Sequence, residues 1–156
     1  MQVTDYLFSV NLALRLQAAL KFFEQVPVDL QGLGRPHHVG FIADGQLLEL
    51  IHAGFALTEV YDSQKVAREL GVATTVHRYQ RGDDTIEVFI PAASHHLVNH
   101  WIRTGRALHV AFRVEDVSKG PVGWKPQGEP VAVKECMIQY YSRPNVGYRL
   151  ELFRCS

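Results

Sequence analysis

The chain reads as an α+β protein in which one unit, a strand, a helix or its remnant and three further strands, occurs twice behind an N-terminal helix. Three observations predict this. A helical apolar pattern fills the first 26 residues and stops at Pro27, short strand-length runs punctuated by Gly, Pro and Asp begin at residue 37, and two of those runs recur at nearly constant offsets. With 156 residues, 47% of them apolar and 21% charged, the chain can bury one core shared by two small halves.

The elements follow in order. Leu12, Leu16, Ala19 and Phe23 recur at helical spacing, and Leu7, Val10, Leu14 and Phe22 widen that face, so a buried helix is expected with Thr4 or Asp5 as its cap. Pro27 and the Gly32-to-Pro36 stretch end it and form a connector. His37 to Ala43 predicts a strand, Asp44-Gly45 a turn, and Gln46 to Ala53 a short helix with apolar Leu47, Leu48, Leu50 and Ile51. Three strands are expected over Phe55 to Tyr61, Val72 to Tyr79 and Thr85 to Ile90, the last two joined through Gly82-Asp83-Asp84. A helix over His95 to Arg103 leads into the second unit, whose strands are Ala107 to Val114, Pro130 to Val133, Glu135 to Ser142 and Tyr148 to Arg154. Between the first two of these, residues 118–130 are too rich in Gly and Pro for a full helix.

The repeat singles out particular side chains. His38-Val39-Gly40-Phe41 aligns with His109-Val110-Ala111-Phe112 at an offset of 71, and Ile86-Glu87-Val88-Phe89 aligns with Leu150-Glu151-Leu152-Phe153 at 64. Each half therefore carries one His on its first strand and one Glu on its last. Alternation puts Glu87 and Glu151 opposite apolar neighbours, and a carboxylate within an apolar strand needs a reason. If the halves associate about a pseudo-twofold axis, His38, His109, Glu87 and Glu151 converge. Such a nitrogen and oxygen donor set suits a divalent metal ion: Zn, Ni, Co, Mn or Fe. His37 competes with His38, because a one-residue register change would turn it inward.

These residues resemble the vicinal oxygen chelate superfamily, which includes glyoxalases, bleomycin-resistance proteins and dioxygenases. The run from Ser94 to Val117, the terminal Tyr141-Ser142-Arg143-Pro144 with Gly147 and Leu150-Glu151-Leu152, and the acid-x-Gln-x-Val run at Asp62, Gln64 and Val66 are similar to its methylmalonyl-CoA epimerase-like branch. The resemblance implies two βαβββ modules, at about 37–92 and 107–154 and the second with a truncated helix, forming a cup-shaped mixed sheet over residues 36–156. Residues 1–35 are then an added helix and connector that covers the sheet or mediates a homodimer. It further implies His38, Glu87, His109 and Glu151 as metal ligands, Glu151, Glu87 or Asp62 as proton carriers, and Tyr141 and Gln64 as substrate-binding residues. The implied activity is that of a metal-dependent isomerase or lyase of the glyoxalase or epimerase type, which stabilises an enolate of a small molecule or acyl thioester while a carboxylate moves the proton. A metal-free ligand-sequestering module and an Fe(II) dioxygenase are the alternatives within the same superfamily.

The remaining features exclude more than they assign. Sixteen basic residues balance sixteen acidic ones, which removes the electrostatic argument for nucleic acid or an anionic membrane. Asp5, Arg15, Lys21 and Glu24 interrupt the N-terminal apolar run, so it is expected to be neither a membrane span nor a signal peptide. Two cysteines, Cys136 and Cys155, are too few for a disulfide scaffold, and inert thiols in a reducing cytoplasm are the simplest expectation. His96 and His100 have zinc-capable i, i+4 spacing but lack a third ligand in sequence, and a solvated helix face accounts for them.

Overall fold

The computed structural model describes residues 3–44, 47–93, 95–104 and 106–156, with side chains from residue 14 onward. Helix α1 (Val3–Glu24) and a 3-10 helix (Val28–Leu33) precede β1 (His38–Ile42), α2 (Leu48–His52), β2 (Ala56–Asp62), α3 (Gln64–Leu70), β3 (Thr74–Arg81) and β4 (Asp84–Pro91). Helix α4 (His96–Arg103) then leads to β5 (Leu108–Arg113), β6 (Lys125–Val133), β7 (Cys136–Ser142) and β8 (Arg149–Cys155). The expected turn at Gly45, the Gln46 start of α2, the side chains of Thr4, Asp5, Leu7, Val10 and Leu12, and Ser94 and Gly105 lie outside the described residues.

All eight strands join one curled, open sheet in the order β2-β3-β4-β1-β5-β8-β7-β6. Each half closes on itself by a parallel pair, β1 with β4 and β5 with β8, and the halves meet where β1 and β5 run antiparallel. The register there pairs His38 with Ala111 and Gly40 with His109, two pairs that the 71-residue offset exchanges. Glu87 lies beside Gly40 and Glu151 beside Ala111, which are themselves equivalent under that offset. The repeat read along the chain is thus a pseudo-twofold symmetry in space, and the architecture is the cup of two βαβββ modules.

Strand alternation sorts the sheet into two faces. Val39, Phe41, Ile86, Val88, Val110, Phe112, Leu150 and Leu152 form the outer core, on which α1 lays Ala19 and Phe22. Phe22 meets Tyr148 edge-on at 4.8 Å, and burial of such a ring is worth about 1.5–3 kcal/mol. Arg15 sinks into the same junction and donates from Nε and Nη2 to the Ile42 carbonyl at 3.2 and 2.9 Å. The widened apolar face expected of α1 narrows here, because Leu14 is 60% exposed. Asp29 ties the connector down, accepting from Trp124 Nε1 at 2.8 Å and Arg143 Nη1 at 2.6 Å. The helix therefore covers the sheet of its own chain.

Four features differ from the sequence expectation. Helix α3, unforeseen, starts at the Ser63 cap, whose hydroxyl accepts from Val66 N at 3.2 Å, and ends at Gly71 in the left-handed region (φ 74°). Helix α2 is shorter than predicted and buries Leu47 and Leu50 but not Leu48 or Ile51. Strand β6 begins at Lys125, well before Pro130, because an edge strand tolerates proline and a register shift between Gln127 and Val131 absorbs the irregularity. Cys136 and Cys155, expected to be free, are directly paired across β7 and β8 with Cα atoms 4.0 Å apart and are joined as a disulfide.

Two outcomes follow. A Cβ at Gly40 would overlap the His109 imidazole, so Gly40→Ala is expected to lower stability by about 1–3 kcal/mol in urea unfolding. The native, unreduced protein is expected to show no thiol toward an alkylating reagent followed by mass spectrometry, and both cysteines only after reduction.

Candidate functional site

The inner face of the cup encloses a cavity of about 630 Å³ lined from both modules. Alternation turns His38, Glu87, His109 and Glu151 into it, since their strand neighbours Val39, Ile86, Val110 and Leu150 are committed to the outer core. His38, His109 and Glu151 are 9, 6 and 6% exposed, and one ligand atom from each lies within 4.8 Å of the others. His38 Nε2 stands 3.3 Å from Glu151 Oε2, and the two imidazoles meet nearly edge-on, centroids 5.5 Å apart. Phe89 stacks on His109 at 5.6 Å, and Gly40 opposite leaves space for that ring, so glycine at this one position is what seats the second histidine.

His37 also lines the cavity, but from an exposed position outside the compact group. Its Nδ1 is 2.9 Å from Nδ1 of His38, with one nitrogen donating according to tautomer. That contact occupies His38 Nδ1 and leaves Nε2 toward Glu151.

The two glutamates, equivalent by symmetry, are not equivalent by environment. On the strand next to Glu87 the register partner is Arg78, whereas next to Glu151 it is Tyr140. Arg78 donates from Nη2 to Glu87 Oε1 at 3.1 Å and from Nη1 to Glu59 Oε2 at 2.9 Å. Glu87 thus faces the cavity as half of an ion pair and stands outside the three-donor group. Among the described residues Glu151 forms no ion pair with an Arg or Lys side chain, and it turns to the histidines.

Burial alone would raise the Glu151 carboxyl, but hydrogen bonding from His38 and the charges of His38 and His109 outweigh it and hold the group well below the usual carboxylate range. Burial pulls His38 down, yet Glu87 and Glu151 together raise it above its ordinary value. Desolvation dominates at His109 and lowers it to about 3, so this imidazole is neutral and its lone pair is available to a metal. Tyr140 is raised by burial and by Glu151, and its hydroxyl accepts from Lys65 Nζ at 2.6 Å.

Of the other predicted residues, Asp62 and Gln64 line the cavity from the β2–α3 junction. Asp62 is exposed and accepts from Thr75 Oγ1 at 3.2 Å. Tyr141 corrects the expectation: alternation sends it to the outer core, 3% exposed, where its hydroxyl donates to the Val117 carbonyl at 2.6 Å. Its neighbour Tyr140 takes the cavity side. His95 caps α4, Nδ1 accepting from Leu97 N at 3.1 Å, and neither it nor His96 or His100 joins a metal-capable group among the described residues. Trp101 also lines the cavity, and Lys65, Arg78 and Arg149 are cavity residues that sequence reasoning missed. The repeat could have found Arg149, which directly precedes the aligned Leu150-Glu151-Leu152-Phe153 run and shares a strand face with Glu151.

No family model matches the chain, and no curated protein matches it in sequence. Among solved structures, the hypothetical protein BH1468 from Bacillus halodurans C-125 superposes with a TM-score of 0.54 at 16% identity, covering 78% of this chain and 94% of that one. A Streptomyces coelicolor methylmalonyl-CoA epimerase variant in complex with 2-nitronate-propionyl-CoA gives 0.48 at 17%, covering 78% and 94%. The Mycobacterium tuberculosis methylmalonyl-CoA epimerase gives 0.48 at 16%, covering 78% and 87%. At such identities the likeness concerns the fold alone. Within it, the buried His-His-Glu group could hold a divalent metal ion, since two imidazoles and a carboxylate are a fitting donor set.

A pH experiment on metal-free protein checks this electrostatic arrangement. His109 is held at about 3 against an ordinary 6.5, so the unfolded chain binds the extra proton and stability falls as pH drops through that window. Glu151, lowered in the fold, adds a loss at the acid end, while the His38 contribution is present below 6.5 and is lost as pH rises past its raised value. Melting temperatures followed by circular dichroism are expected to decline toward acid, and His109→Gln to flatten that decline.

Proposed function

We propose that the chain is a divalent-metal-dependent enzyme of the glyoxalase or epimerase type, moving a proton beside an oxygen of a small molecule or acyl thioester. The observation that carries this reading is the buried three-donor group, His38, His109 and Glu151, drawn from both modules at the floor of one cavity. Those three residues would hold the ion. When bound, it would supply Lewis-acid stabilisation to negative charge gathering on a substrate oxygen, an effect of several kcal/mol.

The chain's own residues divide the remaining work. Glu87 faces the cavity outside the ligand group, and Arg78 holds its Oε1, so it is the carboxylate placed to take a proton from the carbon α to the carbonyl that bears that oxygen. The C–H electron pair passes toward the oxygen, and a proton returns either to the opposite face of the same carbon, which completes an epimerisation, or to the neighbouring oxygen-bearing carbon, which completes a glyoxalase-type isomerisation. Lys65 and Tyr140, joined at 2.6 Å, bridge α3 to the opposite module and close one side of the cavity against water. The same donors, two His and one Glu, are also the set used by non-haem iron oxygenases, which makes Fe(II) oxygen chemistry the second reading.

Elemental analysis of protein purified without added metal is expected to find a divalent ion near one per chain, lost in His109→Ala and in Glu151→Ala. Glu87→Gln is expected to keep the metal and to slow solvent deuterium exchange into α-acidic acids and thioesters by about 100-fold or more. Absence of metal after reconstitution defeats the reading, and substrate-dependent oxygen uptake by the iron-loaded protein selects the second one.

A further inference from the structure

The concave face holds a cation that neither the ligand group nor the proton carrier uses. Arg149 is 9% exposed and lines the cavity. Its guanidinium lies over two rings, Cζ 3.8 Å from the Tyr140 centroid and 4.6 Å from the Trp101 centroid. The buried Nε makes no hydrogen bond, and no carboxylate among the described residues forms an ion pair with the group. Of the other cations lining the cavity, Arg78 is engaged by Glu87 and Glu59 and Lys65 by Tyr140 and Glu69, while Arg113 and Lys134 are exposed to solvent.

A buried charge without a partner is costly, and a fold that needed only volume against Trp101 and Tyr140 would be served as well by an apolar side chain. Contact with the two rings leaves the guanidinium without a carboxylate partner among the described residues, and its planar fork of N–H groups matches a carboxylate in a bidentate pair. Arg149 sits two residues before Glu151 on one strand face, about 6–7 Å along the backbone, so one small molecule can reach both it and the three-donor group.

We propose that Arg149 is a substrate-binding residue that anchors a carboxylate, so that the cavity selects a small molecule carrying a free acid group over its neutral counterpart. This rests on the reading of the cavity as a small-molecule site and adds the charge class of its occupant.

The test titrates pyruvate and its uncharged methyl ester by calorimetry into protein stripped of metal with a chelator. Pyruvate is expected to bind saturably at millimolar concentration and the ester not. Arg149→Met is expected to weaken pyruvate binding by about tenfold or more while melting at or above the wild-type temperature. Arg149→Lys, which keeps the charge without the fork, is expected to fall between the two. Acid and ester binding alike, neither binding, or Arg149→Met binding pyruvate as wild type does would overturn the proposal. If both variants fail to fold, the acid-against-ester comparison on wild type still decides it. Metal content measured on the protein as purified, before the chelator, keeps the two readings apart, since absence of metal there with pyruvate binding intact defeats only the metal-dependent function.

Discussion

The antiparallel register between β1 and β5 is the constraint on which the cup depends. It pairs Gly40 with His109 and His38 with Ala111, so each histidine faces a small residue and both rings fit on one side of a two-strand seam. The parallel partners then bring one glutamate alongside each small residue. A slip of one residue would turn both histidines into the outer core and expose Val39 and Val110 to the cavity, at the cost of burying imidazoles among Phe41, Phe112 and the leucines of β8. The hydrophobic pattern that folds the sheet is therefore also what places the site.

Symmetry supplies four candidate ligands and local chemistry reduces them to three. Arg78 and Tyr140 occupy corresponding positions beside the two glutamates, and a guanidinium and a phenol treat a carboxylate differently. The guanidinium pairs with Glu87, which stands outside the three-donor group. The phenol leaves Glu151 to the imidazoles, where burial makes the His38 contact strong enough to depress the carboxyl and raise the histidine. One glutamate is thereby grouped with the histidines and the other with an arginine, from a sequence repeat in which they look alike.

The wall formed by β7 and β8 carries both the Cys136–Cys155 disulfide and Tyr140, Arg149 and Glu151, all on the cavity side. The pairing follows from register rather than from sequence separation: the two cysteines face each other at the end of the β7–β8 ladder. It also removes the argument for a reducing compartment that rested on cysteine number, because such a bond persists where conditions are oxidising. Among the described residues no helix is long and apolar enough to cross a membrane.

By itself the sequence determined the succession of strands in each half, the equivalence of the halves, and Glu87, His109, Glu151 and one of His37 and His38 as the inward polar residues, because period-two alternation and a fixed offset are both properties of the linear chain. The helix at Gln64–Leu70 was missed although Ser63 and Gly71 marked its ends, since seven residues show too little periodicity to separate a helix from a loop. Only the tertiary structure decided that Tyr140 rather than Tyr141 faces the cavity, that Arg78 takes Glu87 and that the cysteines meet. It also placed Arg149 over two rings contributed by α4 and β7. Each of these depends on which strand or helix lies alongside, a relation between distant segments that no local pattern encodes.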